Sequence, residues 1–201
     1  MPPQPDQVPH LLSKLQGMEP YRNLRFENTT FVPVFHQNRE GLCGFYMMHN
    51  SKYFVRALLA RDLYTQLLYL ARLKSGKEFY RSFIHSTNTL LACRDSKYLN
   101  DTDRKDIEVH KGSLEREHVQ YLLGADSEFV DLMQNEQGVP VFFAKIEFSF
   151  GSLSADRDPA MHIDHQIQAV KEHEGQAIFV LFFGVVNHWI AVIVHKSGSP
   201  G

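Results

Sequence analysis

Phe35-His36-Gln37-Asn38-Arg39-Glu40-Gly41-Leu42-Cys43-Gly44-Phe45-Tyr46 is where the chain passes from irregular sequence into a long helical pattern. Met47, Phe54 and Leu58 fall on one helical face, and Phe45, Val55 and Leu59 widen it, so the spacing predicts a helix over 42–60. Cys43 therefore opens a helix, between glycines 41 and 44. Such an end carries orphan backbone N–H groups and about half a positive charge, which favours a thiolate over a thiol. The glycines permit φ > 0 and close approach of a substrate. Attack on an acyl carbon creates an oxyanion that needs donors. The Cys43 N–H and the Gln37 side-chain amide are the candidates, with Asn38 or His36 as substitutes for Gln37; one such donor is worth roughly 3–4 kcal/mol of barrier.

Outward from this stretch the chain reads as helices first and strands later. Residues 1–9 are Pro-rich and expected to be loose, 10–17 suggest a short helix, and 30–35 a short edge or irregular strand. Asp62 is a natural N-cap for a second helix with Leu63, Leu67 and Leu70 inward. A third helix is predicted over 77–93 with Phe79, Phe83 and Leu90 inward. Residues 94–113 are charged and polar around Asn100-Asp101-Thr102-Asp103, and read as a loop or insertion. Ser113 is the expected cap of a helix over 114–123 that ends at Gly124, and a short helix follows over 127–135. After Gly138 the pattern alternates as a strand over 139–150. A helix over 158–173 has Pro159 in its first turn. Residues 177–186 and 188–195 read as a hairpin or one bent strand. This is an α+β order in a single domain spanning 1–201.

Composition narrows the class. At 43% hydrophobic and 22% charged, the chain is that of an ordinary soluble globular protein. A net charge of −2 gives no broad attraction to nucleic acid or an anionic membrane. The longest apolar run, 177–186, has ten residues, half of the ~20 that span a bilayer. Two cysteines do not make a disulfide framework, and the N-terminus lacks the regions of a signal peptide. The expected location is cytoplasmic or nuclear.

The partner for Cys43 is His188, in Val186-Asn187-His188-Trp189-Ile190-Ala191-Val192. An imidazole there would hold the thiolate and protonate the leaving amine, and Trp189, the only tryptophan, would shield the pair from water. Gln-x5-Cys-Gly opening a helix, followed by Asn-His-Trp opening a strand, resembles the papain-fold cysteine peptidases. The separation of 145 residues falls within the ~130–150 of papain-type enzymes. The text around Cys43 departs from papain's own and is closer to Josephin-type deubiquitinases and other ubiquitin-like-protein proteases. The resemblance implies a papain-like α+β fold: a helical lobe with Cys43 at a helix N-terminus, and an antiparallel sheet carrying His188. It implies a cysteine-type peptidase acting on amide or isopeptide bonds of ubiquitin or a ubiquitin-like protein, without a cofactor. Those families orient the histidine with an Asn or Asp on the following strand. Here 13 residues follow His188 and no such residue is evident, which points to a third residue carried by a longer form, a substitute such as Asp164 or Asp158, or a dyad, and to an impaired or inactive enzyme where the orienting residue is lost.

Two other readings stand beside this one. The same Cys–His pair could run an acyltransferase or transglutaminase, and the fold without the chemistry would be an interaction module. Cys93 has no such surroundings and reads as a small buried hydrophobe. His162 and His165, with His173 nearby, have helical metal-ligand spacing but no evident fourth ligand, so no metal is expected.

Overall fold

The computed structural model describes residues 41–109, 113–143, 168, 170–185 and 188–197. The expected elements at 10–17 and 30–35, most of the helix over 158–173, and Gln37, Asp158, His162, Asp164 and His165 lie outside them. The described chain is α+β, with six helices followed by a small sheet: α1 (Cys43–Leu59), α2 (Leu63–Leu73), α3 (Gly76–Leu91), α4 (Asp101–Glu108), α5 (Arg116–Ala125), α6 (Ser127–Met133), then β1 (Val141–Phe143), β2 (Ala177–Val185) and β3 (His188–Lys196).

α1 is the axis of the fold. Its apolar face was expected to be one stripe, but burial runs around the helix: Phe45 to His49, Ser51 to Tyr53, Val55, Ala57 and Leu59 are all buried. Tyr46 stacks on Phe79 of α3 with centroids 3.9 Å apart, and Phe45 meets Phe83 edge-on at 4.7 Å. α2 runs antiparallel to α1, since His49 reaches the Leu73 carbonyl at 3.1 Å while Tyr53 approaches Tyr69.

Full burial makes the charged and ring nitrogens of α1 costly unless they find partners, and Lys52 and His49 find them, whereas the buried Ser51 Oγ has none among the described residues. Lys52 is 1% exposed, and its ammonium pairs with Glu128 in the first turn of α6. Arg56 adds a second cation to that carboxylate at 3.4 Å. His49 donates from Nε2 to the Leu73 carbonyl, which leaves Nδ1 to accept from Ser82 Oγ at 3.1 Å.

The caps were legible, but not in every case. Asp62 Oδ1 accepts from Thr65 N–H at 2.8 Å, as its type predicts. The third helix runs Gly76–Leu91, with Phe79, Phe83 and Leu90 buried as expected. Three expectations need correction. Leu63 and Leu67 are exposed rather than inward. The stretch 94–113 contains α4, which Asn100 and Asp103 close with a capping box and which buries Ile107. α5 begins after Glu115 rather than Ser113, because the Glu115 N–H donates to His118 Nδ1 at 2.9 Å in a box of its own.

The sheet has the order β1-β2-β3. β2 and β3 pair antiparallel from Val185↔His188 to Ala177↔Lys196, so the hairpin reading holds. β1 pairs parallel to β2, which corrects the expectation of an antiparallel sheet: this one is mixed. Alternation divides the sheet's faces. Ile178, Val180 and Phe182 join the main core with α1, while Ala177, Phe179 and Leu181 form a second cluster with Val170 and Val194. On β3, Trp189, Ala191 and Ile193 pack on the main core. Among the described residues no helix is long and apolar enough to cross a membrane.

Two stability predictions follow from the buried polar groups. Glu128→Gln strands the Lys52 ammonium and is expected to cost about 3 kcal/mol, while Lys52→Met removes the buried charge and should cost less than about 1 kcal/mol; urea denaturation of both variants checks the asymmetry. Burial, and secondarily the Lys52 charge, lower the His49 pKa from 6.5 to about 4. The native state therefore resists protonation that the unfolded state accepts, and stability falls as pH drops from 6.5 towards 4. The loss between pH 7 and 5 is about 2 kcal/mol, and it should shrink in His49→Gln when urea midpoints are compared across that range.

Candidate active site

Cys43 is the first residue of α1, buried at 5% exposure. It follows Gly41, whose φ of +79° turns the chain into the helix in a conformation open mainly to glycine. Leu42 stands at the N-cap and makes no side-chain cap, and the first turn holds no acid. α1 differs in this from every other described helix. α2 is capped by Asp62, α3 by Ser75 with Glu78 in its first turn, and α4 by Asn100 with two aspartates. α5 has Glu115 and Glu117, and α6 has Asp126 and Glu128. The positive end of the α1 dipole thus receives no counter-charge from its own cap or first turn.

The residue after the thiol is held by a close approach. A Cβ built on Gly44 would lie 2.7 Å from Leu114 Cβ, so only glycine fits without displacing that segment. Leu114 in turn presents its carbonyl to Trp189, whose indole N–H donates at 2.7 Å. One short segment before α5 therefore touches the neighbour of Cys43 on one side and the neighbour of His188 on the other. His188 itself opens β3, paired in register with Val185. Leu114 has no local sequence signal for this role, since its pattern is only that of a helix start.

The remaining titratable candidates are placed in structural roles. Cys93 is a buried free thiol directed at the Asp95 carbonyl at 3.6 Å, so Cys43 and Cys93 are not joined. His173 packs its ring against Phe142 and Phe179 on the second face of the sheet. His85, Asp126 and Glu128 bring ligand atoms within 4.8 Å of one another. The donor set does not suit a cation. His85 Nε2 and Ser86 Oγ both donate to the fully buried Asp126 carboxylate, and Glu128 already faces Lys52 and Arg56. Burial is the largest single effect on the Glu128 carboxyl and pushes it up, but the Lys52 hydrogen bond and the charges of Lys52, Arg56 and His85 together outweigh it and hold the carboxyl below its ordinary range.

No family model, no curated protein and no solved structure matches this chain.

The Gly44 contact can be tested directly. Alanine would gain about 1 kcal/mol of helix propensity over glycine, yet crowding against Leu114 should reverse the sign and give a net loss of about 1–2 kcal/mol. Thermal unfolding of Gly44→Ala beside the unsubstituted chain measures it, a gain in stability contradicting the contact.

Proposed function

We propose that this protein is a cysteine-dependent hydrolase of amide or isopeptide bonds, of the papain-like kind, acting on ubiquitin or a ubiquitin-like protein. The observation that carries the reading is the setting of Cys43: first residue of a helix that has neither a side-chain cap nor an acid in its first turn. A thiolate, or an oxyanion formed beside it, is the group such an end accommodates. The Gly44–Leu114–Trp189 contacts support the pairing with His188, because they tie both neighbouring residues to one segment.

In this mechanism the Cys43 thiolate attacks the carbonyl carbon, and the oxyanion is held by the Cys43 N–H and the Gln37 amide. His188 protonates the departing amine as the thioester forms, and then activates the water that hydrolyses it. No cofactor enters.

A second reading has its own support. Cys43 is buried, and β3 gives the main core its odd-numbered side chains Trp189, Ala191 and Ile193. Both suit an interaction module that keeps the fold and binds its protein partner without turnover.

Ubiquitin-like proteins carrying a C-terminal electrophile separate the two. The hydrolase forms an adduct that Cys43→Ala abolishes and Cys93→Ala leaves intact. His188→Ala should lower turnover of a fluorogenic substrate by about 10²–10⁴. Labelling that survives Cys43→Ala, or no adduct with any probe, removes the hydrolase; binding of the unmodified protein without an adduct supports the module.

A further inference from the structure

We propose that the outer face of α2 is a docking surface for an acidic amphipathic helix of a partner protein. Nine large apolar side chains are exposed among the described residues, and four of them lie within six consecutive positions of this helix. Leu63 is 68% exposed, Tyr64 77%, Leu67 54% and Leu68 38%. A surface helix ordinarily turns its polar face to water. α2 is apolar on both sides, with Leu73 buried against α1 and this stripe facing outward. The i, i+4 pairs Leu63–Leu67 and Tyr64–Leu68 are the spacing at which one helix presents a seam to another.

Charge selects the occupant. Residues 61–81 carry five basic and two acidic side chains, a net charge of +3 in a chain whose total is −2. Both acids are engaged: Asp62 caps α2, and Glu78 accepts from Tyr53 and Arg81. The basic groups at Arg61, Arg72, Lys74 and Lys77 are all exposed. Arg61 at the start of the stripe, and Arg72 and Lys74 beyond its end on the same helix, have no carboxylate partner among the described residues, and an apolar stripe flanked by such cations complements a helix with apolar anchors and carboxylates beside them. A second copy of this chain meets the same cations in an isologous contact and is repelled. A membrane would receive only two turns of apolar stripe, too little for the interfacial anchoring that long amphipathic helices provide.

The surface is distinct from the thiol. α1 spans 17 residues, about 24 Å at 1.5 Å per residue, and the antiparallel packing puts the start of α2 at the end opposite Cys43.

A displayed library of amphipathic helices, with a fixed leucine stripe and all other positions randomised, tests it on the full chain. Selected binders should be enriched in Asp and Glu. Their affinity should fall at least about tenfold on Leu67→Ser and on Lys74→Glu/Lys77→Glu, with the far-ultraviolet circular dichroism unchanged. Recovery of no binders, of basic or uncharged binders, or of binders indifferent to Leu67→Ser overturns the proposal. So does co-sedimentation with phosphatidylcholine–phosphatidylserine vesicles, or dimerisation, that Leu67→Ser abolishes.

Discussion

The burial of α1 on all sides is the constraint from which the arrangement of the other elements follows. A helix with one apolar stripe can leave its polar residues in water. α1 cannot, and Lys52 and His49 must be satisfied by groups that other elements bring to them. Glu128 answers Lys52 from the first turn of α6. The Leu73 carbonyl answers His49 from the end of α2, where an orphan acceptor is available for structural reasons of its own. The two contacts fix where α2 ends and where α6 begins relative to α1. Neighbouring elements are bound by the same logic, since Arg104 of α4 donates to the Leu91 and Cys93 carbonyls at the end of α3.

Local chemistry was readable wherever the signal lay within one turn of chain. Asp62 and Gly41 announce helix boundaries by residue type, and the run of apolar residues over 177–186 announces a strand buried on both faces. The misreadings have a common cause in tertiary context. α2 has leucines at helical spacing, which normally mark the buried side, but the residues that meet α1 are Tyr69 and Leu73. α4 buries one apolar side chain, Ile107, so periodicity had nothing to register; the capping pattern at Asn100 and Asp103 was the available clue. The parallel pairing of β1 joins residues 141–143 to 178–180, a pairing across sequence distance that no local pattern encodes.

The candidate site divides along the same line. That Cys43 opens a helix is a local fact and was legible. What lies opposite it depends on contacts between distant segments, and Leu114, which touches both the helix start and Trp189, has no sequence signature for that role.

The apolar N-cap of α1 bears on the proposed role of Cys43. An uncapped helix end is a cost, since Ser, Thr, Asp or Asn at that position contributes about 1 kcal/mol over an apolar residue. Five described helices carry a cap or an acid there, so the chain has ready means to supply one. At α1 it has Leu42 instead, buried in the core beside the thiol. An acid or a capping oxygen at this place would compete for the same backbone donors and repel an anion formed on the sulfur. The apolar N-cap is therefore unfavourable for helix stability, and it is the proposed thiolate at Cys43 that would be favoured by it, a conflict between local rule and observed residue that the hydrolase reading accounts for.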